Sequence, residues 1–342
     1  MVSKQPILIE GIGGVGGVVA AQMIRAGLSP TLVTGNPEIT DAIHRGGLDL
    51  TTPEQEFIVP ARAFTSLSDL PGDAKFDAVY LLMKANGMVE AARASLPFLA
   101  KEGCVVTFQN GIVEDSVAEV VGPERVVSAV IGWGTEMLTP GIYKKTSGGR
   151  TFVGELDGTL SRRVMDLGLV LKSSAEVIVS PNIRGVLWSK LAINSMITTM
   201  GAITGERLGV MLRDRRARAI FLSIYREVID TARGEGIIPV RVEAKPEIFY
   251  LARDANFFTK WLKHVLMRVV GFKYRNVKSS SLQSLERGRK TEIDFLNGYV
   301  VRKAKEAGVE VPVNQAVVRL VKEIEEGRRS IDPRNLEEIP QS

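Results

Sequence analysis

The sequence predicts an α/β fold: a doubly wound parallel sheet in the first half, then an all-helical second domain. Three observations carry this. Short apolar runs alternate with helical patterns as far as Ser180, the first of those runs leads straight into a glycine-rich turn, and beyond Ser180 every periodic segment has helical spacing.

Taken in order, the strand candidates are Ile7–Glu10, Thr31–Val33, Ala78–Met83, Cys104–Phe108 and Val126–Ile131. Their nearly unbroken apolar character suits strands covered on both faces. Between them, Val18–Ala26, Gly87–Ala100 and Glu114–Val121 have helical spacing, and Gly27 supplies a stop for the first. Thr151–Gly154 and Glu176–Val179 extend the sheet, and the Gly, Ser and Thr cluster Thr146–Thr151 is a loop. Ser180 suits a helix N-cap with Pro181 at the first helical position. Helices are then expected over Ile183–Thr198, Asp214–Arg233, Phe257–Val270, Leu282–Ala307 and Asn314–Gly327. The domain boundary falls near Ser180, giving an α/β domain over 1–180 and a helical domain over 181–342.

Composition removes several function classes. A length of 342 residues, 45% hydrophobic and 24% charged, is that of a folded two-domain protein. The net charge of +5 is spread along the chain and gives no nucleic-acid footprint. One cysteine, Cys104, permits no internal disulfide and suits a reducing compartment. With only His44 and His264 beside it, a metal site would need carboxylates almost alone, so none is expected. Leu191–Gly205, the longest uncharged stretch, is too short to span a membrane, and Glu10 with five glycines interrupts any signal-peptide core. A cytoplasmic protein is expected, binding neither membrane nor nucleic acid.

Ile7–Glu10 runs into G-I-G-G-V-G, so Gly11, Gly13 and Gly16 fit G-x-G-x-x-G, with Gly14 and Val15 between them. In a Rossmann-type domain these three glycines allow a tight turn, close approach of a pyrophosphate, and helix-on-strand packing. The phosphates then meet a helix N-terminus. At the end of the second strand stand Thr34, Gly35 and Asn36. No carboxylate is there to repel a 2′-phosphate, and Thr34 and Asn36 can donate to one. NADP(H) is therefore favoured, with NAD(H) left open because the usual arginine is missing as well.

The helical half carries polar groups in apolar surroundings. Leu191–Gly205 is apolar or small almost all round, which predicts a buried helix. Lys190 opens that stretch and Asn194 lies one turn on, on the same face. On the predicted helix Leu282–Ala307, Glu292 falls on a stripe made by Leu285, Phe295, Leu296, Tyr299 and Val300, whereas Asp294 faces the polar side. Buried charges of this kind are paired or functional. Gln109-Asn110-Gly111 follows the fourth strand, where a ligand loop and a plain Asn-Gly turn are equally consistent with the residues. Neither histidine is placed for catalysis.

In this order, these residues resemble the ketopantoate reductase family. Its features are the N-terminal glycine turn, a Lys after the third strand (Lys84 in M-K-A), Q-N-G after the fourth (Asn110), W-S-K-L-A-I-N (Lys190, Asn194), S-S-L-Q (Ser280) and T-E-I-D-F-L-N-G (Glu292). The resemblance implies a Rossmann domain followed by a helical domain of the 6-phosphogluconate dehydrogenase type, and a homodimer. It implies NADPH-dependent reduction of a 2-oxo acid, ketopantoate first among them. Lys190 would be the general acid and Glu292 the second catalytic residue, Glu292, Asn194 and Ser280 would hold the substrate, and Lys84, Asn110 and Glu292 would lie on the cofactor side.

The chain also departs from the family. Thr198-Thr199 stands where Asn-Pro is frequent, Ser284 replaces an Asp, and Phe257–Lys278 looks inserted. Reductases of other 2-oxo acids, opine-type dehydrogenases, and a dinucleotide-binding regulator without turnover are the competing readings. The inserted stretch interleaves Lys260, Lys263, Arg268, Lys273, Arg275 and Lys278 with Trp261, Leu262, Leu266 and Val269. Packing on its own domain or a second subunit, or contact with an anionic membrane, would each explain it.

Overall fold

A computed structural model describes residues 6–242 and 245–340. The chain forms two compact units: residues 1–109 with 113–183, and residues 110–112 with 184–342. The first contains β1 (Ile7–Glu10), α1 (Gly14–Arg25), β2 (Thr31–Val33), α2 (Pro37–Gly46), β3 (Leu48–Thr51), β4 (Glu56–Val59), β5 (Phe76–Leu81) and α3 (Met88–Ser95). It continues through β6 (Leu99–Thr107), α4 (Glu114–Val121), β7 (Val126–Ile131), β8 (Thr135–Thr139), β9 (Ile142–Lys145), β10 (Arg150–Glu155), α5 (Arg162–Leu171) and β11 (Glu176–Val179).

The main sheet has seven strands in the order β11-β10-β7-β6-β5-β1-β2. Ile9 on β1 sits opposite both Leu32 and Tyr80, and Tyr80 opposite Val106, so the apolar runs lie in register through the centre. One pairing departs from the expected parallel sheet: β10 runs antiparallel to β7, with Thr151 opposite Ile131. The cause is the connection. A parallel return needs a crossover, usually a helix, and 132–149 instead holds the β8–β9 hairpin, which re-enters the sheet from the end where β7 stopped.

That hairpin completes a second, four-stranded sheet, β4-β3-β9-β8, which the sequence did not announce. Its strands are short and half solvent-facing, with Ile58 at 62% and Leu138 at 51% exposure, so they lack the buried-strand signature. Tyr143 on β9 is fully buried, as are Leu48 and Leu50 on β3, and Tyr143 packs against α1 at Gly17.

The second unit contains α6 (Ile183–Thr204), α7 (Leu208–Met211), α8 (Arg215–Gly234), α9 (Phe257–Lys273), α10 (Ser280–Glu286), α11 (Asn297–Ala307) and α12 (Pro312–Glu325). Ser180 does accept a hydrogen bond, from the Asn182 amide at 3.1 Å, but α6 starts at Ile183 rather than Pro181. The single helix expected over Leu282–Ala307 is broken. After α10 the chain turns through Gly288 at φ +65°, passes a 3-10 turn at Ile293–Phe295, and only then enters α11. Thr291 holds the bend: its amide and hydroxyl both donate to Glu325 Oε1, each at 2.6 Å. Glu292 therefore heads a turn and does not lie on a helical stripe.

A buried polar chain ties this unit together. Glu227 on α8 accepts the Val313 amide at 3.1 Å and the Asn314 amide at 2.9 Å, so one helix supplies the N-terminal cap of α12. Asn314 Nδ2 donates to Glu227 at 2.7 Å, and Asn297 Nδ2 donates to Asn314 Oδ1 at 2.9 Å and to the Ser195 carbonyl at 3.2 Å. Burial pushes the Glu227 carboxyl above its ordinary value of 4.5, opposed by the Asn314 and Val313 hydrogen bonds. The folded chain thus holds this proton more tightly than the unfolded chain, and stability falls as pH rises through the window above 4.5. Glu10 and Glu114 are raised by burial too and add to the slope. Glu227→Gln is expected to flatten the fall of the urea midpoint as the pH rises above 4.5; an unchanged slope would show that Glu227 does not contribute.

Candidate active site

The glycine turn is built by exclusion of side chains. Gly11 has φ +95°, and a Cβ there would meet the Met83 amide nitrogen at 2.7 Å. A Cβ on Gly16 would lie 2.0 Å from the Gly11 carbonyl oxygen, and one on Gly17 would lie 2.1 Å from the Tyr143 ring. Tyr143 itself donates to the Ile12 carbonyl at 3.1 Å, so the second sheet supports the turn from behind. Gly13 differs from its neighbours, having nothing within 4 Å of the Cβ position. The first amides of α1 have no intrahelical acceptor, and no acidic side chain stands in its first turn. Open space over Gly13, bordered by the N-terminal amides of Gly14, Val15 and Gly16, fits a pyrophosphate. The residues present accept a dinucleotide.

At the end of β2, Thr34 is buried and its hydroxyl donates to the Asn36 carbonyl at 2.9 Å, with Thr40 Oγ1 at 2.7 Å. Asn36 caps α2 through Oδ1, which accepts the Glu38 amide at 2.8 Å, leaving Nδ2 as its donor. Asn36 is thus better placed than Thr34 to meet a ribose substituent. Lys84 is exposed just after β5, as the sequence suggested. His44 is structural, its Nε2 lying 2.9 Å from the Ala63 carbonyl. A cleft of about 700 Å³ beside His44, Arg45 and Arg62 lies at the other end of α2 from Asn36 and contains none of the expected site residues.

Gln109 carries more structure than the sequence indicated. Its Nε2 donates to the carbonyls of Leu81 at 2.7 Å and Met83 at 2.9 Å, while Oε1 accepts the Phe108 amide at 2.8 Å. One side chain thereby ties the ends of β5 and β6, next to Lys84 and Asn110. The following residues, Asn110–Ile112, belong to the second unit. There the Ile112 amide donates to the Phe295 carbonyl at 3.2 Å, and a Cβ on Gly111 would stand 2.5 Å from that same oxygen. Asn-Gly at this point is a close backbone approach, not a plain turn.

Within the second unit several expected residues come together. Asn194 on α6 donates from Nδ2 to Asn110 Oδ1 at 3.4 Å. Lys190 is half-buried one helical turn earlier on the same face. Glu292 is half-buried and opens the 3-10 turn, its carbonyl accepting the Phe295 amide at 3.0 Å, so the residue that receives Asn110–Ile112 is fixed to it. Ser280 is the exposed first residue of α10. Its neighbour Ser279 caps α10 and approaches Gly201 on α6, where a Cβ would lie 2.4 Å from Ser279 Oγ. Gly201 lies three turns beyond Lys190. A glycine inside an otherwise good helix was the available signal for this approach.

A Rossmann-type unit with an open glycine turn, followed by a helical unit bearing a half-buried lysine and asparagine on one helix face, defines a dinucleotide-dependent oxidoreductase. Residues 7–158 match the family model described as "Ketopantoate reductase PanE/ApbA", and residues 182–325 match its C-terminal counterpart. A 2-dehydropantoate 2-reductase of Mesorhizobium japonicum is 27% identical, the alignment covering 93% of this chain and 97% of that protein. The crystal structure of a PanE/ApbA family ketopantoate reductase from Ralstonia eutropha superposes with a TM-score of 0.78 at 28% identity, covering 95% of this chain and all of that one. A D-mandelate dehydrogenase in complex with NADH and anilino(oxo)acetate shares the fold, with a TM-score of 0.79 at 21% identity over 94% of this chain and 98% of that one. The chain belongs to the ketopantoate reductase family. It is an oxidoreductase acting on a CH–OH group, with a nicotinamide dinucleotide as cofactor.

Two glycine variants separate fold from binding. Gly16→Ala should destabilise the first unit by about 1–3 kcal/mol, because the opposing atom is backbone and cannot yield. Gly13→Ala should leave the unfolding free energy within about 0.5 kcal/mol of the parent and weaken dinucleotide binding at least about tenfold, as measured by fluorescence titration. Unimpaired binding in Gly13→Ala would exclude a pyrophosphate at this turn.

Proposed function

We propose that this protein reduces a 2-oxo acid to the 2-hydroxy acid with NADPH, ketopantoate (2-dehydropantoate) to pantoate being the foremost candidate, as a homodimeric cytoplasmic enzyme. The observation that carries the reading is that Asn110 meets Asn194, which shares a face of α6 with Lys190, while Ile112 bonds to the turn after Glu292. The names of the relatives support the substrate.

Gly11, Gly13, Gly14, Val15 and Gly16 would hold the pyrophosphate, with Asn36, Thr34, Lys84 and Asn110 meeting the remainder of the cofactor. When bound, the nicotinamide supplies a hydride to the carbonyl carbon of the oxo acid. The electron pair released onto the carbonyl oxygen must be neutralised, and Lys190 Nζ donates the proton. Burial alone would push an ammonium towards the neutral amine; a carboxylate in the same unit opposes this, and Glu292 is the residue assigned to it. Glu292, Asn194 and Ser280 would also hydrogen-bond the substrate's polar groups. After turnover Lys190 regains its proton from solvent.

One observation widens the substrate question. Thr198 and Thr199 bond back to the carbonyls of Asn194 and Ser195, at 2.8 and 2.5 Å, and α6 continues unbroken to Thr204. An Asn-Pro pair, frequent in the family here, would interrupt that helix. A panel of aliphatic and aromatic 2-oxo acids, read by NADPH absorbance, is therefore the direct test; NADPH binding without oxidation by any acid would point to a regulator.

With the best acid of that panel, Lys190→Ala should lose ~10²–10⁴ in kcat while binding NADPH normally, the usual cost of removing a positioned general acid. Near-normal kcat in the folded variant would refute the assignment. NADPH should be preferred to NADH in kcat/KM, and Asn36→Asp should move the ratio towards NADH by placing a carboxylate beside the 2′ position.

A further inference from the structure

The chemistry above uses nothing from α9. Nine of the twenty exposed large hydrophobic side chains described in the structure nevertheless lie within residues 257–277. Phe257 (82%), Phe258 (67%), Trp261 (52%), Leu262 (50%), Val269 (59%) and Phe272 (73%) all face solvent. At roughly 100° per residue they fall within about 140° of the helix circumference. The opposite side, with Met267 and Gly271 buried, packs on its own unit. Intramolecular packing therefore leaves this face uncovered, and a contiguous patch of this size marks an interaction site.

The charge pattern selects the occupant. No Asp or Glu occurs between Asp254 and Glu286, whereas Lys260, Lys263, Arg268, Lys273, Arg275 and Lys278 all do. By the same helical geometry Arg268 stands within the apolar arc near one margin and Lys273 borders the other, while Lys260 lies about 60° outside it, so long cationic side chains stand among and beside the aromatic ones. Arg275 lies over the Phe272 ring, 5.5 Å from its centroid. In a symmetric contact of α9 with α9 these cations would face one another with no carboxylate in the segment to pair with them. A layer of anionic headgroups above acyl chains matches both features at once, receiving the aromatic side chains below and the cations at its surface.

We propose that α9 is an interfacial helix that holds this enzyme on anionic lipid membranes. It lies in the plane of the interface, inserting Phe257, Phe258, Trp261 and Phe272 among the acyl chains. Trp261 gives a built-in probe, since Trp133 (7% exposed) and Trp188 (1%) are buried and Trp261 is not.

The full-length protein is mixed with phosphatidylcholine vesicles, with and without about one-quarter phosphatidylglycerol, near 0.15 M salt. Co-sedimentation with the anionic vesicles only, a blue shift of tryptophan emission that Trp261→Ala abolishes, and weaker binding at higher salt are expected. The double variant Lys260→Glu/Lys273→Glu, which disturbs no buried contact, should bind at least about tenfold more weakly with NADPH oxidation unchanged. Failure to bind anionic vesicles, equal binding to neutral ones, or an α9-dependent dimer in sedimentation without vesicle binding would overturn the proposal, and none of these outcomes bears on the reductase reading.

Discussion

The architecture of the first unit depends on how closely one helix can approach one strand. With the Gly16 Cα facing the Gly11 carbonyl so tightly that a Cβ would stand 2.0 Å away, α1 lies directly over the end of β1. That closeness aims the free amides of its first turn at the space above Gly13. Other elements conform to it. Met83 crosses beneath Gly11, Gln109 fixes the carbonyl beside it, and Tyr143 fills the notch at Gly17. The second sheet thus has a mechanical purpose: it carries Tyr143 to the back of the turn and bonds it to Ile12.

The second unit solves a different problem, how to keep polar chemistry on a helix that is otherwise core. α6 buries Trp188, Leu191, Met196 and Met200 while Lys190 and Asn194 are only half-buried. It is held by polar groups that are themselves buried and bonded, Asn297 reaching the Ser195 carbonyl and Glu227 with Asn314 anchoring Asn297 in turn. Replacing one member leaves its partner without a hydrogen bond in an apolar setting, which costs more than the bond itself is worth.

How much of this was legible follows from the kind of signal each part sends. Buried parallel strands are nearly pure apolar runs, so β1 and β7 have the expected limits; the edge strands β2 and β11 are apolar runs as well and share them, and so does α4. The four strands of the small sheet are short and half wet, and no strand is expected from the sequence in any of them. The antiparallel β10 has a readable sign in the lack of any helical stretch over 132–149. Glu292 was singled out for a reason the structure removes, since the helix that gave it a stripe is interrupted at Gly288. It remains in the candidate site because its turn receives Asn110–Ile112. The bonds of Gln109, Glu227 and Asn314 could not be read in advance, because Gln109 reaches Met83 across 26 residues and Glu227 reaches Asn314 across 87, and spacing along a chain does not report such meetings.

The same distances bear on how the protein is made. Asn297 reaches back 102 residues to Ser195, and Asn314 reaches back 87 to Glu227. α12 borrows its cap from α8, so neither the cap nor the core beneath it exists until the ribosome has passed Asn314. At about 5–20 residues per second, the 119 residues from Ser195 to Asn314 take roughly 6–24 s to emerge. Throughout that interval α6 has been synthesised but not enclosed, and Trp188, Met196 and Met200 are open to other nascent chains. For this protein the hazardous moment is late in translation, after the nucleotide-binding unit is already complete.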